Sequence, residues 1–170
     1  MAEVITGRQT ATVDEDVVVF LIGMRINRLR RIRSWLPAFR AMPRMLRELA
    51  ADPSLGLLGV HSFWMGRTIL AVQYWRSFED LERFARHPSD PHLAAWKKFN
   101  QAVGADGSVG IWHETYMVHP DQFESVYGNM PRFGLAAAME HVEAVGRRYT
   151  ARKRLETNKT SELAMETQQG

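Results

Sequence analysis

The sequence predicts an α+β fold whose elements alternate β, α, β, β, α, β. Three observations carry that reading. "VVVFLIGMRIN" (17–27) is β-branched and almost wholly apolar; two further apolar runs flank a short Gly-Arg connection; and two stretches carry apolar residues at helical spacing between capping residues and prolines. A chain of 170 residues with 45% hydrophobic residues supports one core, so one folded unit is expected, from 16 to 149. Residues 1–15 read as a flexible segment and residues 150–170, polar and poor in core-forming side chains, as a disordered tail.

The first strand is "VVVFLIGMRIN", apolar on both faces and therefore in need of a cover on each. "SWLPAFRAMPRMLRELAAD" follows as the first helix, with Leu36, Phe39, Met42, Leu46 and Leu49 on one stripe and prolines at 37 and 43 that predict a kink. "LLGVHSFWM" and "TILAVQYWRS" form a β-hairpin around Gly66-Arg67. Ser77 caps the next helix with Asp80 in capping-box position, and Phe78, Leu81 and Phe84 supply its buried stripe. "HPSDP" ends that helix; Asp90 and Pro91 start another, which runs to Gly104, before the last strand "SVGIWHETYMV". The order is the ferredoxin-like βαββαβ arrangement. Two helices cover one face of such a sheet. A second copy of the sheet is the economical cover for the other, so a homodimer is expected.

The sequence contains no cysteine, which removes disulfides, thiolate metal sites and a cysteine nucleophile, and which agrees with a cytoplasmic location. The N-terminal stretch lacks a basic segment followed by a long apolar core, and 17–24 is too short to span a bilayer, so a soluble protein is expected. Net charge is only +3, but "RINRLRRIRSW" holds Arg25, Arg28, Arg30, Arg31 and Arg33 with no acid between them: a solvated basic connection, or a local anion site. No nucleic-acid signature accompanies the arginines, so nucleic acid is not an expected partner. "SWLPAFRAMPRMLREL" mixes apolar and basic residues as interfacial helices do, which predicts a weak membrane-surface contact at most.

"GADGSVG" has G-x-x-G-x-x-G spacing but follows a helix and leads into a strand, the reverse of a dinucleotide site. There is no phosphate-binding lysine loop and no G-x-S-x-G elbow, and His61, His87, His119 and His141 lack zinc-ligand spacing. In the helix from Pro91, His92 shares a stripe with Ala95, Trp96, Phe99 and Val103. The positive end of the helix disfavours imidazolium, so His92 is expected neutral, fit to bind a metal or accept a proton, or simply to bond a backbone group. Alternation puts His113 with Ile111 and Thr115, and Trp112, Glu114 and Tyr116 on the other face; His113 is the second candidate base. The aromatics Phe63, Trp64, Tyr74, Trp75, Phe84, Trp96, Phe99 and Trp112 line a flat organic cavity or form an ordinary core.

The phrases "FLIGMRINRL", "WLPAFRAMPRMLREL", "YWRSFEDLERFAR", "GSVGIWHETY" and "YGNMPRFGL" resemble a group of bacterial and fungal proteins related to the fumagillin-pathway monooxygenase. The chain also looks like a member of the dimeric α+β barrel superfamily, which includes antibiotic-biosynthesis and haem-degrading monooxygenases, most strongly from Thr68 to Phe99. In the haem-degrading group a strand ending in Trp-Lys-Ser leads to an aromatic residue nine positions on, then to a haem-ligating histidine; here Trp75-Arg76-Ser77, Phe84 and His92 follow that order. Phe84 replaces that group's tryptophan, the gap to the histidine is two residues shorter, and Asn27 matches its strand-one asparagine. The resemblance implies a monooxygenase-like oxidoreductase acting on an apolar or aromatic small metabolite, with haem as preferred cofactor and cofactor-free oxidation as the alternative. His92 would then be the metal ligand, with Phe84, Trp75 and Trp96 against the porphyrin and Arg25 or Arg28 on its propionates. A haem or hydrophobic-ligand carrier and an aldoxime-dehydratase-like haem lyase are the rival readings.

Overall fold

The computed structural model describes residues 2–86 and 106–158. The chain divides into two compact units where the sequence predicts one: Val19–Thr115, and the residues up to Val18 together with those from Tyr116 on.

The Val19–Thr115 unit contains the predicted βαββαβ order. Its strands are β2 (Val17–Ile26), β3 (Leu57–Met65), β4 (Thr68–Trp75) and β5 (Val109–Val118), of which β2 and β5 run on beyond it; its helices are α1 (Ile32–Ala51) and α2 (Phe78–Arg86). The sheet order is β3-β4-β2-β5, the ferredoxin-like order, so the first strand sits inside the sheet and is screened from water by neighbours on both sides. β3 and β4 pair antiparallel from Leu57 opposite Trp75 to Met65 opposite Thr68, with an irregularity before Gly59. The predicted hairpin turn thus falls at Gly66-Arg67. The helix predicted from Pro91 lies outside the described residues.

One face of the sheet meets α1. Met24, Ile26 and Val109 are buried there, with Trp35, Phe39, Ile69 and Ile111 packed against them. Leu49 is fully buried, while Leu36 and Leu46 are partly so. Pro37 and Pro43 both lie inside α1, which nevertheless runs unbroken for 20 residues. Each proline removes one backbone hydrogen bond, and the packing of Trp35, Phe39 and Leu49 offsets that loss. In α2, Ser77 Oγ accepts the Asp80 amide at 3.1 Å, the predicted cap. Leu81 is buried and Phe84 half-buried, but Phe78 stays exposed, so the stripe is narrower than the sequence predicts.

The other unit corrects the expectation that residues 1–15 are flexible. β1 (Ile5–Thr12) is the central strand of a three-stranded sheet, between β6 (Tyr127–Met130) and β7 (Glu140–Glu143), antiparallel to both. Gln9, Thr10 and Ala11 are buried. The Ala11 amide donates to Ser125 Oγ at 3.0 Å and the Gly7 amide to Asn129 Oδ1 at 2.9 Å. Its mixed polar sequence carries no strong strand signal because hydrogen bonds from partners more than a hundred residues away hold it.

The expected disorder from residue 150 is corrected in part as well, since residues 151–158 are helical. Arg154 is buried there: its Nε donates to Glu124 Oε2 at 2.9 Å and its Nη1 to the carbonyls of Arg148 and Tyr149 at 3.0 and 3.1 Å. A buried guanidinium with its donors matched in this way is retained without the unpaired-charge cost.

Candidate active site on the helix-facing side of the sheet

Alternation along β4 turns Ile69, Ala71, Gln73 and Trp75 to the face that carries α1, and Thr68, Leu70, Val72 and Tyr74 to the other. On the helix side Ala71, Gln73 and Trp75 are all buried. Gln73 is a polar residue in an otherwise apolar row, and its Oε1 accepts the Trp75 indole N–H at 2.9 Å. That bond satisfies the indole and fixes its ring plane. The Trp75 ring lies 5.5 Å from Phe84 of α2, tilted by 39°. The two rings that the sequence placed nine positions apart therefore meet across the sheet and helix.

His113 belongs to the same face. By alternation it follows Val109 and Ile111, both in the core against α1, and its ring is 5.7 Å from Phe20, which shares a face with Ile22, Met24 and Ile26. The imidazole is exposed. This side of the sheet thus carries a buried Trp75–Gln73 pair, the Phe84 ring, and a Phe20–His113 pair along β2 and β5. An apolar wall with a few fixed polar groups orients a flat or hydrophobic molecule without binding it through charge. His113 is the one predicted proton acceptor of the face among the described residues. His92 and Trp96, predicted for the same side, lie outside them.

Arg25 is not on that face. It sits with Gly23 and Leu21 on the opposite side of β2, where its Cβ lies within 4.0 Å of an ideal Cβ at Gly110 and its Nη1 donates to Thr68 Oγ1 at 3.4 Å. Trp112 also faces that side, its indole so close to Gly23 that a Cβ there would lie 2.4 Å from Nε1. Arg28 is exposed in the loop after β2, where its amide donates to the Ser108 carbonyl at 3.1 Å. Asn27 anchors the same loop, its Nδ2 donating to the Gly107 carbonyl at 3.1 Å. Asp106 completes that corner by accepting the Ser108 amide at 2.7 Å and pairing with Arg31 at 2.6 Å. The Ser108 amide and hydroxyl hold the Asp106 carboxyl below the usual carboxylate range, with Arg31 and Arg28 adding to the effect. The pairing is complete above the ordinary carboxylate range and is lost as pH falls through the lowered value.

The remaining described histidines have other settings. His61 meets Tyr74 edge to face at 6.5 Å, His119 Nδ1 meets Asp16 Oδ1 at 2.8 Å, and His141 lies 6.0 Å from Tyr127 with its Nε2 buried and unpartnered among the described residues. Burial first, and then Arg132, holds the His141 pKa below the ordinary histidine value. Among the described residues no cluster of three or more potential metal ligands occurs.

The sequence singled out Trp75, Phe84 and His113 but missed Gln73, Phe20 and Trp35. Gln73 was visible as the polar letter in the inward register of "TILAVQYW". The contact of Phe20 with His113 depends on which strands are neighbours, and no periodicity reports that.

Residues 17–135 match the family described as Monooxygenase af470-like. Monooxygenase af470 of Aspergillus fumigatus is 31% identical over 152 residues, which cover 76% of this chain and 53% of that protein, so the chain spans about half the length of this relative. Among solved structures, aldoxime dehydratase OxdRE in complex with butyraldoxime aligns over 90% of this chain and 44% of its own, with a TM-score of 0.62 at 17% identity, which is a likeness of fold. SnoaB, a cofactor-independent oxygenase from Streptomyces nogalater, aligns over 61% of this chain and 94% of its own, with a TM-score of 0.42 at 13% identity.

Proposed function

Because the chain belongs to the monooxygenase af470-like family, we propose that it inserts one atom of molecular oxygen into an apolar or aromatic small metabolite held on the helix-facing side of the sheet. The second oxygen atom leaves as water, with two electrons and two protons drawn from the substrate or from a separate donor. The observation that carries this reading is the aromatic wall on that face: Trp75 held by Gln73, Phe84 across from it, and the Phe20–His113 pair along the strands. Such a wall favours a flat hydrophobic molecule by excluding water and offering ring faces rather than charges. His113, exposed on the same face, accepts a proton from the bound substrate. A sequence without cysteine supports a cytoplasmic setting for this chemistry.

Haem fits this face in one respect and not in another. Phe84, half-buried, offers a flat apolar contact of the kind a porphyrin needs and is backed by the fully buried Trp75, whereas Arg25 faces the other side of the sheet and is unsuited to a propionate on this one. In the proposal His92 would hold the iron and Arg28, in the loop after β2, would meet a propionate; the haem, when bound, would supply oxygen activation. Without it, the substrate itself reacts with oxygen and the protein's part is to orient it and take its proton.

Hemin titration followed by oxygen-uptake and mass-spectrometric assays on a panel of aromatic and terpenoid compounds tests the reading. His92→Ala is expected to abolish the Soret band and turnover while melting within about 2 °C of the parent, since the sequence predicts a first helical turn at this position and Ala is well tolerated in one. His113→Ala is expected to lower turnover at least about 100-fold with hemin affinity unchanged, the usual effect of losing a general base. Turnover of hemin-free protein that survives His92→Ala would assign the cofactor-free route. No oxygen-dependent product from any compound, with or without hemin, would overturn the monooxygenase reading.

A further inference from the structure

One end of the Val19–Thr115 unit gathers cations and exposed apolar side chains that, Arg28 apart, neither the core nor the proposed site uses. The β3–β4 hairpin tip lies against the loop after β2: the Ile26 amide donates to the Arg67 carbonyl at 2.8 Å, Arg67 Nη1 to the Asn27 carbonyl at 3.4 Å, and Arg25 Nη1 to Thr68 Oγ1 at 3.4 Å. These contacts bring Arg25, Arg28, Arg30, Arg31, Arg33 and Arg67 to one end of the sheet, all exposed. Asp106 holds Arg31, but Arg25, Arg28, Arg30 and Arg33 make no ion pair with a described residue.

Between the arginines stand side chains that a soluble surface rarely presents together: Trp64 at 68% exposure, Met65 at 61%, Ile32 at 52% and Leu29 at 49%. They are not loosely hung. The Trp64 indole donates to the Gly66 carbonyl at 2.6 Å and its ring meets Phe39 of α1 at 5.9 Å; Trp35 in turn donates to the Leu29 carbonyl at 3.0 Å. The hairpin tip, the loop and the start of α1 are thereby braced as one surface. Beyond it an open groove along α1 continues the same mixture, lined by Ile32, Leu36 and Pro37 with Arg33 and Arg40.

The geometry points to a docking surface for an anionic lipid membrane, in which Leu29, Ile32, Trp64 and Met65 enter the headgroup boundary and the arginines lie on the phosphates. Guanidinium groups around rigid apolar side chains complement both layers of such an interface: the charges bring the protein to an anionic surface and the apolar tips hold it there. A nucleic acid would satisfy the arginines but would leave Leu29, Ile32 and Met65 in water, which favours the lipid. No helix among the described residues is long and apolar enough to cross a membrane, so this is attachment to one leaflet. The inference shares only Arg28 with the oxygenase reading and uses neither His92, His113, Trp75 nor Phe84, and none of the substitutions that test it falls on a residue of that reading.

Sedimentation of the full chain with phosphatidylcholine vesicles, with and without 30% phosphatidylglycerol, tests it. Binding is expected to the anionic vesicles, to weaken as salt is raised, and to be at least about tenfold poorer for neutral ones. R30E with R33E is expected to lower the partition coefficient at least about tenfold, and W64S with M65S to lower it comparably while leaving the salt dependence in place. Both pairs are exposed, and circular dichroism and melting curves identify any variant that has lost its fold, in which case L29S with I32S replaces it. Failure of the folded protein to sediment with anionic vesicles at low salt, or binding that neither pair changes, would overturn the proposal. So would tight binding of a DNA duplex through Arg30 and Arg33 together with no vesicle binding.

Discussion

At the residue scale, the most constrained contact lies where β3 begins. Gly56 has φ of +87°, a region that side chains rarely enter, and a Cβ there would lie 2.3 Å from Asp80 Oδ2. The Asp80 carboxylate is buried between two arginines, at 2.7 Å from Arg76 Nη2 and 3.0 Å from Arg83 Nη1. Arg76 adds a backbone bond from its amide to the Gly56 carbonyl at 2.9 Å. One methyl group would therefore strain the backbone and push a buried carboxylate off both its partners. Gly56→Ala is expected to destabilise the protein by roughly 2 to 4 kcal/mol, read as a lower urea midpoint with an unchanged slope. A shift below about 0.5 kcal/mol would mean that Asp80 repacks freely. The sequence showed Asp80 only as a capping residue; its arginine pairs are local, four residues back and three ahead, but its tight seat against Gly56 depends on how closely the start of β3 approaches α2.

At the element scale, legibility follows the strength of the local pattern. β2, β3, β4, β5, α1 and α2 were readable because apolar periodicity and caps agree with the fold, as the Ser77 cap and the Gly66-Arg67 turn show. In the site, Trp75, Phe84 and His113 came from motif and alternation, while Gln73 and Phe20 required the strand order. β1 was not readable at all. "ITGRQTAT" has little apolar content, and its partners β6 and β7 are four residues each, below the length at which period-2 alternation is distinctive. Deleting residues 2–12 puts this to the test. It leaves β6 and β7 without the strand between them and uncovers the donors and acceptors that β1 now pairs, so the melting temperature is expected to fall by more than about 10 °C. A shortened chain that melts with the parent would show that β1 adds nothing to stability.

At the scale of the whole molecule, the face of the β3-β4-β2-β5 sheet turned away from α1 sets the remaining problem. It carries Val19 and Leu21 from β2, Leu70, Val72 and Tyr74 from β4, Phe63 from β3 and Trp112 from β5. Val19, Leu21, Leu70 and Val72 are half-buried, whereas Phe63 and Trp112 are exposed. Closely spaced aliphatic and aromatic side chains on one sheet face favour burial against a complementary sheet, and an identical copy presents the same pattern under a two-fold axis. We therefore expect a homodimer. Light scattering of the full chain at micromolar concentration should give twice the chain mass, unchanged on tenfold dilution. Val72→Lys places an ammonium at the middle of the face and is expected to yield monomer, with the helix-side core, Trp75 and Gln73 included, left intact. Near-ultraviolet circular dichroism distinguishes a folded monomer from an unfolded chain. A monodisperse monomer of the parent protein would overturn the second-copy reading, because the face would then be stable without a partner.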